Sequence, residues 1–209
     1  MRARLRFLGA ALCALAAVAP SLPGTPLGDA EALYQQDKFA AAKAMLEPIA
    51  AAEPANAAAA FFLGMSLLRL GGPTGLDQAH VWLSKATRLE PSNEEYLAEH
   101  AGVCLLMADR DNSFSLALEG RDGMERAIEA DPTDLEAREG LMRFYAKAPW
   151  PLGSVSKARS QAAEIGRRDP ARGKAAYLLL AKIFEKKGEH GDALSATEAA
   201  QSLAQPRRD

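Results

Sequence analysis

"RLEPSNEEY" (88–96) runs from an acidic residue through a proline and a small polar residue to Asn93, then two glutamates. Proline is disfavoured inside a helix, serine and asparagine cap helix starts, and glutamates suit the positive end of a helix dipole. The stretch therefore reads as one helix stopping and another starting, with Ser92 or Asn93 as the cap. Moving outward, the same pattern returns as "AAEPAN" (51–56), "EADPTD" (129–134) and "RRDPAR" (167–172). The prolines are Pro54, Pro91, Pro132 and Pro170, with Pro206 a candidate fifth, at spacings of 37, 41, 38 and 36 residues. A period in that range marks stacked helical units.

Composition agrees with helices. The 209 residues are 48% hydrophobic and 25% charged, with only 6% aromatic. Strands favour β-branched and aromatic residues, so an alanine-rich chain points to helices packed through small side chains. The net charge of −2 comes with no basic cluster, which removes the electrostatic basis for nucleic-acid binding.

The N-terminus differs. Arg2, Arg4 and Arg6 precede an uncharged run from Phe7 to Ala19 and then "PSLPG" (20–24). This is the layout of a secretory signal peptide over 1–24, with cleavage between 19 and 30; an uncleaved anchor is the alternative. The apolar run is too short for a mature span, so none is expected after cleavage. Losing three arginines and no acids takes the net charge from −2 to −5. Cys104 is then the one cysteine left, so packing without a disulfide must hold the protein together.

An acidic-Pro-x-Asn/Asp turn closing a helix pair resembles the tetratricopeptide repeat (TPR). The resemblance implies an all-α, right-handed solenoid over 25–205, with units at 27–54, 57–91, 94–132, 135–170 and 174–205 and a tail at 206–209. On that alignment, small residues open the second helix at Ala42, Ala79, Gly120, Ala158 and Ala193. A later site holds Ala127, and the first-helix site holds Gly64 and Ala181. "YLLLAKIFEKKGEHGDALSATEAA" (177–200) shows the pattern most plainly. Extra residues are expected in the turns within pairs, at 71–77, 108–120 and 148–156. The last of these, "APWPLGSVS", resembles a turn of exported bacterial TPR proteins of unassigned function, and Trp150 is expected to fold back onto its own unit.

No catalytic, cofactor or metal constellation is apparent. His80, His100 and His190 fall in different units with no partner at ligand spacing, and Cys104 falls at a core position, where a buried inert thiol is expected. By the resemblance, the first helices line a groove at Phe61, Met65 and Leu68, then Ala98 and Leu105, then Arg143 and Lys182. That groove is expected to be apolar in its first half and mixed in charge in its second. A non-enzymatic adaptor or scaffold of the bacterial envelope, exported to the periplasm and binding a segment of another protein, is the favoured expectation. A homo-oligomer that uses the apolar half as its own interface is the alternative, and coverage by the chain's own N-terminal segment stays open.

Overall fold

A computed structural model describes residues 24–203. Residues 1–23, nearly all of the stretch expected to be a signal peptide and including Cys13, and the tail with Pro206 lie outside the described residues. The recurring joint explains where the helices begin and end. In Glu53–Asn56 and Glu90–Asn93 the asparagine N–H donates to the glutamate carbonyl at 2.9 and 3.2 Å, closing a turn with proline second. The asparagine side chain then caps the next helix: Asn56 Oδ1 accepts from Ala59 N at 3.0 Å and Asn93 Oδ1 from Tyr96 N at 3.2 Å. Its amide donates back to the glutamate carboxylate at 2.8 and 3.0 Å. Asn93, not Ser92, is therefore the cap. Asp134 takes the same role at the third joint, accepting from Glu136 N and Ala137 N at 2.7 and 3.0 Å.

Ten helices result among the described residues: α1 (Pro26–Gln35), α2 (Phe39–Ala52), α3 (Ala57–Leu70), α4 (Gly75–Leu89), α5 (Glu94–Asp111), α6 (Phe114–Ala130), α7 (Leu135–Lys147), α8 (Val155–Arg168), α9 (Pro170–Lys187) and α10 (His190–Leu203). Each antiparallel pair packs on the next, so the chain is an all-α solenoid of five helix pairs. None of these helices is long and apolar enough to cross a membrane. Pro170 is the first residue of α9 and not a separate joint residue, because Asp169 caps that helix by accepting from Arg172 N at 2.9 Å.

Small residues sit where helices cross. Ala42, Ala79, Ala127 and Ala158 have no exposed surface and Ala193 is 5% exposed, while Ala181 is half-buried. A methyl group on Gly64 would stand 2.9 Å from Leu83 Cγ, so the α3–α4 crossing needs a glycine or a shift of that leucine. The core divides into two clusters that meet at α5. One is built around Leu46, Phe61, Leu63 and Leu83, the other around Leu141, Met142, Leu180 and Phe184.

The inserted residues are placed differently from expectation in two units. In the third, the extra residues lengthen the helices instead of forming a loop: α5 has 18 residues and α6 has 17, joined through Asn112 and Ser113. Asn112 adopts a left-handed conformation (φ 51°) and Ser113 caps α6, so two residues suffice for the turn. In the fourth, Trp150 does not fold back; it is 89% exposed. The Pro149 carbonyl accepts from Leu152 N and Gly153 N, both at 2.9 Å, and this tight turn sends Leu152 inward to pack on the second core cluster.

Candidate functional site

Successive first helices touch: α1 meets α3, α5 meets α7 and α7 meets α9. The Phe61 and Tyr96 rings, stacked at 4.5 Å, bridge α3 and α5. The first helices therefore line the inner side of the curve, the face such arrays use for extended contacts.

The apolar half of this face is largely closed. Phe61 is 2% and Met65 7% exposed, and Leu68 is half-buried. Phe61 lies between Tyr96 and Phe62, whose ring meets Phe61 edge-on at 5.3 Å, and Tyr34 reaches Phe62 at 5.5 Å. The aromatic residues of α1, α3 and α5 have condensed into core, because hydrophobic burial favours ring-on-ring packing over solvent exposure. Leu105 is also drawn inward, standing against Gly120 of its own pair, where a methyl group would sit 2.6 Å from Leu105 Cδ2. Ala98 is half-buried, whereas Arg143 and Lys182 are exposed.

Charge is what the inner face presents. Glu95 and Glu136 are exposed on α5 and α7, with half-buried Glu99 between them. Burial first, then the charges of Glu95 and Glu136, push the Glu99 carboxyl above its usual range; Arg69 opposes this more weakly. Glu95 is raised too, by partial desolvation of its carboxyl against the neighbouring helices and by the charges of Glu94 and Glu31. Further along, Glu139 accepts from Arg172 at 3.0 Å and pairs with Arg143 at 3.5 Å, while Lys187 Nζ donates to the Ala146 carbonyl at 3.1 Å. The face thus runs from clustered, only weakly compensated acid at its centre to exposed cations toward α9.

Two polar clusters lie off this face. A shallow cleft of about 320 Å3 is lined by Glu125, Leu141, Tyr145 and Lys157. The Tyr145 hydroxyl donates to Glu125 Oε1 at 2.5 Å and accepts from Lys157 Nζ at 3.5 Å. Burial and the neighbouring carboxylate push the phenol upward, so it stays protonated and acts as a strut between α6 and α7. The other cluster is formed by His80, His100, Cys104 and Glu119, whose ligand atoms all lie within 4.8 Å of one another. Two histidines that the repeat assigns to different units are thus neighbours, with rings stacked at 5.1 Å. Burial lowers His100 to about 4, aided by His80 and Arg88, and raises Cys104 to about 12. The imidazole is neutral and the thiol protonated near neutral pH. His100 and Cys104 stand at i, i+4 on one helix, the signal in the sequence that could have found them. His190 remains apart, 2.9 Å from Glu185.

Comparison with known proteins supports the architecture. No protein-family model matches the chain, and no curated protein sequence does. The structure is similar to that of MamA (TM-score 0.68, 17% identity, 85% of this chain and 89% of that one). It is similar to MamA 41-end from Desulfovibrio magneticus RS-1 (TM-score 0.67, 16% identity, 88% and 96%). It also resembles YrrB, described as a TPR protein with an unusual peptide-binding site (TM-score 0.67, 19% identity, 88% and 86%). At these identities the likeness is one of fold: the protein is an α-solenoid of the TPR type.

Proposed function

We propose that this chain is a non-enzymatic protein-binding scaffold, exported to the periplasmic side of the bacterial envelope, that takes a partner segment along its inner face. The observation that carries the reading is Glu99. A folded protein has no structural need to hold a carboxylate half-buried beside Glu95 and Glu136, and a cationic partner side chain would relieve it. The expected occupant is a helix or extended segment whose basic residues face Glu95, Glu99 and Glu136 and whose acidic residues face Arg143 and Lys182. YrrB, whose description names a peptide-binding site on the same fold, lends support. Export rests on the basic and apolar N-terminal sequence. Self-association through the apolar half is less favoured, because Phe61 and Met65 are already covered within the chain.

Photo-crosslinking in cells tests this. A crosslinker at Ala98 or Lys182 should capture a distinct protein, while one at Val81, 61% exposed on a second helix, should not. Identical captures at all three positions, or none on the inner face, would remove the groove from the model.

A further inference from the structure

The His80–Glu119 cluster lies away from the inner face and plays no part in the scaffold reading. Its four side chains come from three helices: His80 from α4, His100 and Cys104 from α5, and Glu119 from α6. We propose that His80, His100, Cys104 and Glu119 bind a single zinc-class divalent metal ion that clamps the second and third helix pairs.

The distances carry the proposal. His100 Nε2 stands 3.5 Å from Cys104 Sγ and 3.8 Å from Glu119 Oε1. Tetrahedral coordination with metal–nitrogen and metal–oxygen bonds of about 2.0–2.2 Å and a metal–sulfur bond of about 2.3 Å separates ligand atoms by roughly 3.3–3.6 Å. Cys104 and His100 already meet that spacing, and His80 and the 47% exposed Glu119 side chain, all within 4.8 Å, reach it by small side-chain rotations. His80 supplies an independent sign: its Nε2 is buried with no hydrogen-bond partner, a condition that costs free energy unless something binds the atom. The chemistry of the donors narrows the class. Two imidazoles, a thiol and a carboxylate form a borderline-soft set that suits zinc and its neighbours, not calcium or magnesium, which take oxygen ligands. On binding, the sulfur–metal bond forms and the Cys104 thiol proton leaves to solvent, so thiolate and carboxylate together neutralise a divalent ion. The exposed carboxylate gives the ion a way in.

The clamp falls where the two core clusters meet. His80 belongs to the second pair and the other three ligands to the third, so an occupied site ties the halves of the solenoid beside α5.

The test uses the full chain, reduced and stripped of metal, titrated with Co2+ and then Zn2+. One equivalent of Co2+ should produce a thiolate-to-metal charge-transfer band with the intense visible bands of four-coordinate cobalt, and one equivalent of Zn2+ should bleach both. His80→Gln and Glu119→Gln, at the less buried positions, should keep helical circular dichroism while weakening Zn2+ binding by on the order of 10–100-fold or more. Cys104→Ser should abolish the charge-transfer band. If that variant fails to fold, the other two decide. His190→Ala, at the separate surface pair, should bind as wild type. A folded wild-type chain without the band, binding unchanged in His80→Gln, or one ion shared by two chains would each overturn the proposal.

Discussion

Gly166 of α8 and Gly173 of α9 touch, yet they should respond oppositely to the same substitution. A methyl group on Gly173 would overlap the Gly166 Cα and lie 2.8 Å from its backbone nitrogen. Backbone cannot rotate away, so Gly173→Ala must drive α8 and α9 apart. A methyl group on Gly166 meets the Leu203 Cδ1 at 3.1 Å and Gly173 Cα at 3.6 Å, the first a mobile side-chain end and the second ordinary contact. Alanine is favoured over glycine in a helix interior by about 1 kcal/mol, whereas overpacking costs about 1–3 kcal/mol and sometimes more. Gly166→Ala should therefore be neutral or stabilising by up to about 1 kcal/mol. Gly173→Ala should lose about 2 kcal/mol net, because its overlap is with backbone. At roughly 2–4 °C per kcal/mol for a chain of this size, the two variants should melt about 5–10 °C apart. Thermal unfolding followed by far-ultraviolet circular dichroism measures the difference. Hydrogen exchange in α9 and α10 shows whether the loss is confined to the last pair, as nearest-neighbour coupling in a solenoid requires. If Gly173→Ala melts at or above Gly166→Ala, the close approach of these helices is not rigid and the reasoning fails.

Asn93→Ala removes the cap of α5 and strands the Tyr96 N–H, so urea unfolding should show a loss of about 1 kcal/mol, the usual cost of a lost cap. Glu99→Gln has the opposite sign. A carboxyl raised by burial and like charge destabilises the fold above its folded pKa, and the penalty fades as pH falls through that value and the group protonates. The variant should melt higher than wild type at pH 7, with the gain shrinking as the medium is acidified, and it should capture less partner in the crosslinking assay. An equal gain at both pH values would mean that charge is not the cause.

The period, the helix pairs and the joints were legible because each joint is local chemistry. Proline as second residue of a turn and Asn56, Asn93 or Asp134 as cap act within four residues of one another, and any chain carrying that sequence has the same donors and acceptors nearby. The small sites at Ala42, Ala79 and Ala158 were readable because two helices in one pair can approach only across small side chains. Nothing local distinguishes the 18-residue α5 from a shorter helix with a loop, and that register took packing against α6 to set.

The repeat pattern carries each pair but not the angle at which one pair seats on the next. That angle arises from all the contacts of the interface together. It put Phe61 under Tyr96 and buried Met65 in the same core instead of leaving them for a partner, and it left Glu99 beside Glu95 and Glu136. It brought Gly173 onto Gly166, and it carried His80 across from one pair to meet His100, Cys104 and Glu119 in the next. The i, i+4 neighbours Glu95 with Glu99 and His100 with Cys104 are set by one helix, but each meeting also needs residues of another helix, and those awaited the packed solenoid.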